Sequence, residues 1–155
     1  MHNKLEEAKK EHHDIVWIDE VMFTTRTQAE KAWSHKYDPF YVDMQKTNME
    51  PIAVVAAVSE RYGVDLVMMF ERSVNQHKFK EFLLKLRNKY PFRRMALVLD
   101  NLTAHKTKSV LKYMEEAGLK SIFNVPYSPD YNSIELVFAQ VKHRYKRLRL
   151  EAYAQ

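Results

Sequence analysis

Three acidic residues are spaced so that their oxygens could converge on metal ions. Asp19 lies inside an apolar run, Ile15-Val16-Trp17-Ile18-Asp19-Glu20-Val21-Met22-Phe23, and Asp100 closes a second one, Met95-Ala96-Leu97-Val98-Leu99-Asp100-Asn101. Glu135 ends the segment Pro126-Tyr127-Ser128-Pro129-Asp130-Tyr131-Asn132-Ser133-Ile134-Glu135, and positions 101–134 leave 34 residues between it and Asp100. Three carboxylates on separate elements are the hard oxygen donors that a pair of Mg ions needs for in-line attack on a phosphodiester. Chemistry of that kind would cut and join DNA.

Each acid also has a plainer explanation. A carboxylate in mid-strand is costly to bury without a partner, so Asp19 either faces solvent, pairs with a Lys or Arg, or awaits a cation. Glu20 points to the opposite face and is an equal candidate. Asp100 falls where a buried strand delivers its last residue to the carboxyl edge of a sheet, but Asp-Asn is also a common turn. Asn132-Ser133-Ile134-Glu135 matches a capping box, with Glu135 reaching back to the Asn132 backbone.

The surrounding elements decide whether the three can meet. Residues 3–13 read as a charged helix without a strong apolar stripe, a linker or helical tail of a missing N-terminal region. Residues 14–24 read as a strand, 26–50 as a long excursion studded with Trp33, Tyr37, Phe40 and Tyr41, then 52–58 and 64–70 as two strands. Gly63 supplies the positive φ that their hairpin needs. Asn75 opens a helix in which Phe79, Phe82, Leu83, Leu86 and Tyr90 follow helical spacing until Pro91 stops it. Met95–Leu99 is a short, continuous apolar run, as in a strand buried on both faces. A second helix carries Val110, Leu111 and Met114 and ends at Gly118, and 121–125 is a fifth strand. A last helix from Ser133 places Ile134, Val137, Phe138, Val141, Tyr145 and Leu148 on one face.

The order β-β-β-α-β-α-β-α predicts an α/β fold: an antiparallel meander extended by parallel strands through helical crossovers. It is the order of the RNase H-like fold, a five-stranded mixed sheet flanked by helices. There the first and fourth strands are neighbours, which sets Asp19 beside Asp100. The last helix crosses the same edge and presents Glu135 from its first turn.

Composition agrees. The 155 residues are 46% hydrophobic and 29% charged, those of one folded domain with a sizeable core. No apolar stretch approaches the roughly 20 residues of a spanning helix, and no membrane is expected. With no cysteine there is no disulfide, thiolate metal site or cysteine nucleophile. A net charge of +5 favours polyanionic partners, and its distribution sharpens that. Lys142, Arg144, Lys146, Arg147 and Arg149 crowd around Tyr145 just downstream of Glu135, as a DNA-binding helix or a solvated face would.

Three segments carry a resemblance to a known family. Trp17-Ile18-Asp19-Glu20-Val21-Met22-Phe23, Leu99-Asp100-Asn101-Leu102-Thr103-Ala104-His105 and Pro126 to Glu135 resemble the catalytic domain of Tc/mariner and related insertion-sequence transposases, the DDE superfamily endonucleases. The 34-residue gap is that of the branch ending in Glu, and the likeness spans about residues 14–148. Ser133 stands where Pro is usual and Phe138 where Trp is typical. The N-terminal helix-turn-helix modules that read transposon ends have no room here, so 14–150 is expected to be the catalytic domain alone, excised, degenerate or domesticated.

The resemblance implies metal-dependent strand cleavage and strand transfer. Asp19 and Asp100 would share two Mg (or Mn) ions and Glu135 would hold the second. His105 would orient a phosphate or a neighbouring carboxylate unless it is a surface or capping residue, and Asn101 would support the site. Lys142, Arg144, Lys146, Arg147 and Arg149 would contact DNA, and Arg26, Lys31, Trp33 and Lys36 fall where such enzymes place clamping or dimer-contacting loops. The implied partners are DNA and, in the full-length protein, a homodimer or larger synaptic assembly. The implied setting is intracellular, at DNA, in a nucleus or a bacterial cytoplasm. The rival readings are a retained domain acting as a non-catalytic DNA-binding or assembly module, and an RNase H-type or resolvase nuclease.

Overall fold

Five consecutive apolar residues, Met95–Leu99 (β4), are all buried, because helices cover both faces of the strand they form. The structure, a computed structural model, describes residues 1–24, 27, 36–37, 50–124 and 133–153. Most of the 26–50 excursion, and the segment from Pro126 to Asn132, lie outside the described residues. Before β4 come α1 (His2–Lys10), β1 (Asp14–Phe23), β2 (Ile52–Ser59), β3 (Gly63–Glu71) and α2 (Gln76–Lys89). After it come a 3₁₀ turn at Thr103–Lys106, α3 (Lys108–Glu116), β5 (Lys120–Phe123) and α4 (Ile134–Tyr153).

The sheet order is β3-β2-β1-β4-β5. β1–β2 and β2–β3 are antiparallel, while β1–β4 and β4–β5 are parallel. This is the mixed α/β sheet expected from the element order, with its boundaries shifted by a residue or so at strand ends. Local chemistry explains the punctuation. Gly63 turns the β2–β3 hairpin at φ 69°, and the Asn75 side chain caps α2 by accepting the His77 and Lys78 N–H groups. Gly118, at φ 63°, ends α3, with its own N–H on the Glu115 carbonyl and that of Leu119 on Met114.

Side chains alternate along β1. Val16 and Ile18 join Val55, Ala57, Met95, Leu97 and Leu99 beneath Phe79, Phe82, Leu83 and Leu86 of α2 and Val110 and Met114 of α3. Burying each of these large side chains contributes about 1.5–3 kcal/mol. Ile15 and Trp17 face the other way, toward α1, while Val21 and Phe23 meet Ile134 and Phe138 of α4. Asp19 falls between those two apolar sets, on the face that carries α4.

Two expectations change. Residues 3–13 do carry a packing stripe: Leu5 and Ala8 of α1, with Met1 just before it, seat on Ile15, Ala96, Val98 and Ile122, and Ala8 is fully buried. Ala and the initial Met give little hydrophobic signal, so the stripe is weak in sequence. The single apolar face of α4 is buried in part: Ile134 and Phe138 are buried and Tyr145 packs edge-on to Phe23, but Val141 and Leu148 are exposed.

A buried ionic cluster closes the far edge of the sheet. Asp65, inside β3, has a fully buried side chain, and Arg93 Nη1 lies 2.5 Å from its Oδ1. The same guanidinium donates from Nε to Asp14 Oδ2 at 2.8 Å and from Nη2 to Ser59 Oγ at 2.9 Å. It also lies over the Tyr62 ring, 4.4 Å from its centroid. One side chain thus ties together β1, β2 and β3.

Candidate active site

The parallel register of β1 and β4 brings two acids to one edge. Ile18 pairs with Leu99, so the next residues, Asp19 and Asp100, stand side by side where β4 ends. They line one open groove of about 470 Å³ together with Glu20, Met22, Val74, Leu102, Thr103 and Ala104. Asp19 Oδ1 accepts the Glu20 backbone N–H at 2.7 Å.

Asp100 is held from behind. Its Oδ1 accepts the Leu102 N–H at 3.2 Å, the local turn expected of Asp after a strand, and lies 2.6 Å from His105 Nδ1. His105 is neither a surface nor a capping residue: it is 2% exposed, and its ring lies against Phe79, centroids 4.0 Å apart. Burial alone would raise the Asp100 carboxyl. The His105 contact, the Leu102 N–H and the positive charge of Lys106 outweigh it and hold the carboxyl below its ordinary value. Glu20 goes the other way, pushed up by burial and by the charge of Asp100 against the opposing Val74 hydrogen bond and His105.

Asn101 serves the scaffold. Its Nδ2 donates to the Asn124 carbonyl at 2.5 Å, its Oδ1 accepts from Lys106, and the Asn124 N–H returns to Leu99. These bonds tie the exits of β4 and β5 together, so the loop bearing His105 leaves the sheet at a fixed point.

Glu135 is exposed in the first turn of α4 and does not line the groove. Ile134 and Phe138 seat that turn on Val21, Phe23 and Ala56, on the face that Asp19 shares. Among the described residues no three His, Cys, Asp or Glu side chains are gathered closely enough to hold a metal ion. Like-charged carboxylates converge only at a Coulombic cost that a cation offsets. Asn132, the other half of the capping box, lies outside the described residues. Glu135→Gln is expected to leave the metal-free domain equally or more stable in thermal melts. A loss of about 0.5–2 kcal/mol with metal affinity retained would make Glu135 a helix cap instead.

The basic residues of α4 differ in what they already hold. Lys142 and Arg144 are exposed and Lys146 is half-buried. Arg147 pairs with Glu151 at 2.9 Å, and Arg149 donates to the Thr27 carbonyl at 3.3 Å and lies over the Tyr145 ring. Lys142, Lys146 and Arg149 share the helical stripe that begins at Glu135.

Comparison with known proteins shows the family and the fold. Residues 14–153 match the family model of the DDE superfamily endonucleases. The fold is similar to that of the Mos1 transposase in a paired-end complex with the left transposon end, with a TM-score of 0.70 and 19% identity over 99% of this chain and 52% of that one. It is similar also to the catalytic domain of the Mos1 mariner transposase, with a TM-score of 0.65 and 18% identity over 99% of this chain and 76% of that one. The same Mos1 domain with Raltegravir and Mg gives a TM-score of 0.63 and 18% identity, over 97% and 76% of the two chains. The chain thus spans about half the length of the Mos1 chain in the paired-end complex. No curated protein matches the chain in sequence.

Proposed function

Because this chain belongs to the DDE superfamily endonucleases, we propose that it is the catalytic domain of a cut-and-paste transposase, which cleaves DNA strands and transfers them. One observation carries this reading: the β1–β4 register sets Asp19 and Asp100 at one open groove, with His105 bracing Asp100 from behind. The donor chemistry fits Mg or Mn, since carboxylate oxygens are the hard ligands these ions take. Asp19 and Asp100 would hold the ions, two in all, with Glu135 as the third ligand. Mos1 structures containing Mg and containing Mn support that choice. Bound there, a divalent ion supplies Lewis acidity at the scissile phosphate and a water-derived nucleophile at neutral pH.

The chain's own side chains do the rest. His105, 2.6 Å from Asp100 Oδ1, fixes that carboxylate in orientation, and Asn101 fixes the loop that delivers His105. The α4 stripe runs from Glu135 through Lys142 and Lys146 and would offer cations to the backbone of a bound strand. In the Mos1 structures the transposase is bound to transposon ends or assembled in a strand transfer complex. A homodimer or larger synaptic assembly at cellular DNA is proposed likewise for the full-length protein. No helix among the described residues is long and apolar enough to cross a membrane.

Supplied with Mg or Mn, the purified chain is expected to nick duplex DNA, and a chelator to stop it. DNA binding without nicking under either metal would replace this reading with a non-catalytic binding or assembly module.

Binding itself should be weak, similar for unrelated duplexes, and steeply salt-dependent, because phosphate contacts position a protein without specifying sequence. Replacing Lys142, Lys146 and Arg149 together with Gln should flatten the salt slope by up to about 3, one per phosphate contact. Tight binding that discriminates one duplex from another at physiological salt would point to a base-reading element elsewhere in the chain.

A further inference from the structure

A second cleft, of about 470 Å³, lies at the amino ends of β1 and β4. Asp14, at the start of β1, is five residues from Asp19, so the two sites are separated by about 16 Å along the strand. The cleft is built from three short connections. Arg61 and Tyr62 come from the β2–β3 turn, Phe92 and Arg94 from the α2–β4 turn, and His12 from the α1–β1 link. Its acids are answered internally: Arg93 takes Asp14 and Asp65 at its floor, and Arg61 Nη1 approaches Asp14 at 4.0 Å. The cleft is therefore predominantly cationic at its mouth.

Phe92 is the feature that calls for a ligand. It projects from the turn with 96% of its surface exposed, directly beside these cations. Tyr62, half-exposed on the opposite wall, is held flat by guanidinium groups, with Arg61 at 5.3 Å and Arg93 at 4.4 Å from its centroid. The open Phe92 ring set among arginines suits a chain of alternating flat rings and anions. A paired duplex offers phosphates but hides its ring faces in its own stack, so the aromatic component selects unpaired bases.

Resting on the reading of the chain as a DNA-acting catalytic domain, we infer that this cleft binds single-stranded DNA. Phe92 stacks on a base, and Arg61 and Arg94 contact the flanking phosphates. It would hold a strand that has left the duplex, at the edge of the sheet remote from the catalytic groove.

The test is fluorescence anisotropy with a labelled oligothymidine and with a fully paired, blunt-ended duplex of equal length, in chelator so that nothing is cut. Phe92→Ala, Arg61→Gln and Arg94→Gln change exposed side chains, and thermal melts check that the fold survives. Each is expected to weaken oligothymidine binding, and Phe92→Ala to do so by about tenfold while duplex affinity stays unchanged. Should Phe92→Ala lower the melting temperature, Phe92→Leu keeps the apolar bulk without the ring and is expected to show the same selective loss. For Phe92→Ala, unchanged oligothymidine affinity, or a parallel fall in duplex affinity, overturns the inference. Nicking by Asp100→Asn reports on the catalytic reading alone. The Phe92→Ala contrast between strand and duplex reports on this cleft alone, so either can fail while the other stands.

Discussion

Asp19→Asn and Asp100→Asn should each reduce Mg- or Mn-dependent nicking by at least about a thousandfold, the rate equivalent of the several kcal/mol that metal charge supplies to such a transition state. The change is nearly isosteric. It removes one negative charge from a groove whose two aspartates stand side by side because Ile18 pairs with Leu99. Both variants should remain folded and should still bind duplex DNA through α4. His105→Ala should have a smaller effect, because it removes the brace at 2.6 Å and leaves the carboxylate in place. Glu20→Gln separates the alternatives: nicking that survives Asp19→Asn but not Glu20→Gln would transfer the role to the neighbouring acid.

The second large effect is on stability. Arg93→Met should destabilise the domain by about 3–5 kcal/mol, because it leaves Asp65 buried with its charge unanswered. For a chain of this size that is a fall of roughly 10 °C or more in melting temperature. Arg93→Lys should recover only part of the loss, since an ammonium group cannot reach Asp14, Asp65 and Ser59 at once as the guanidinium fork does. The double variant Arg93→Met, Asp65→Leu should regain much of it, because the stranded charge is gone. A single variant that melts with the wild type would mean that Asp65 is neutral or hydrated in the folded state.

Asp65 also shows what sequence reading could and could not reach. An Asp in mid-strand demands either a cation or an exit to solvent, and that rule singled out Asp19. Applied to Gly63-Val64-Asp65-Leu66 it would have demanded a buried partner, which is Arg93, 28 residues away. The rule names the need but not the partner, because the partner depends on which turns the sheet brings together. The sheet itself was readable: its apolar runs, its hairpin glycine and its helical crossovers leave few ways to order five strands. The adjacency of Asp19 and Asp100 followed from that order. Glu135 was harder to place, because a first-turn acid is oriented by the segment before it, and the spacing to Asp100 carries no direction. His105 was ambiguous for a related reason. Its role depends on burial against Phe79, a contact between a 3₁₀ turn and a helix that no local pattern encodes.

The central claim is that Asp19 and Asp100 form a divalent-metal site, and calorimetric titration of Mg and Mn into the wild type and into Asp100→Asn tests it most directly. The wild type is expected to give a saturable binding isotherm that is lost or strongly weakened in Asp100→Asn, with the circular dichroism spectrum and melting behaviour showing the variant folded. Equal affinity and stoichiometry in the two proteins would contradict the claim and leave the groove without the ions its chemistry requires.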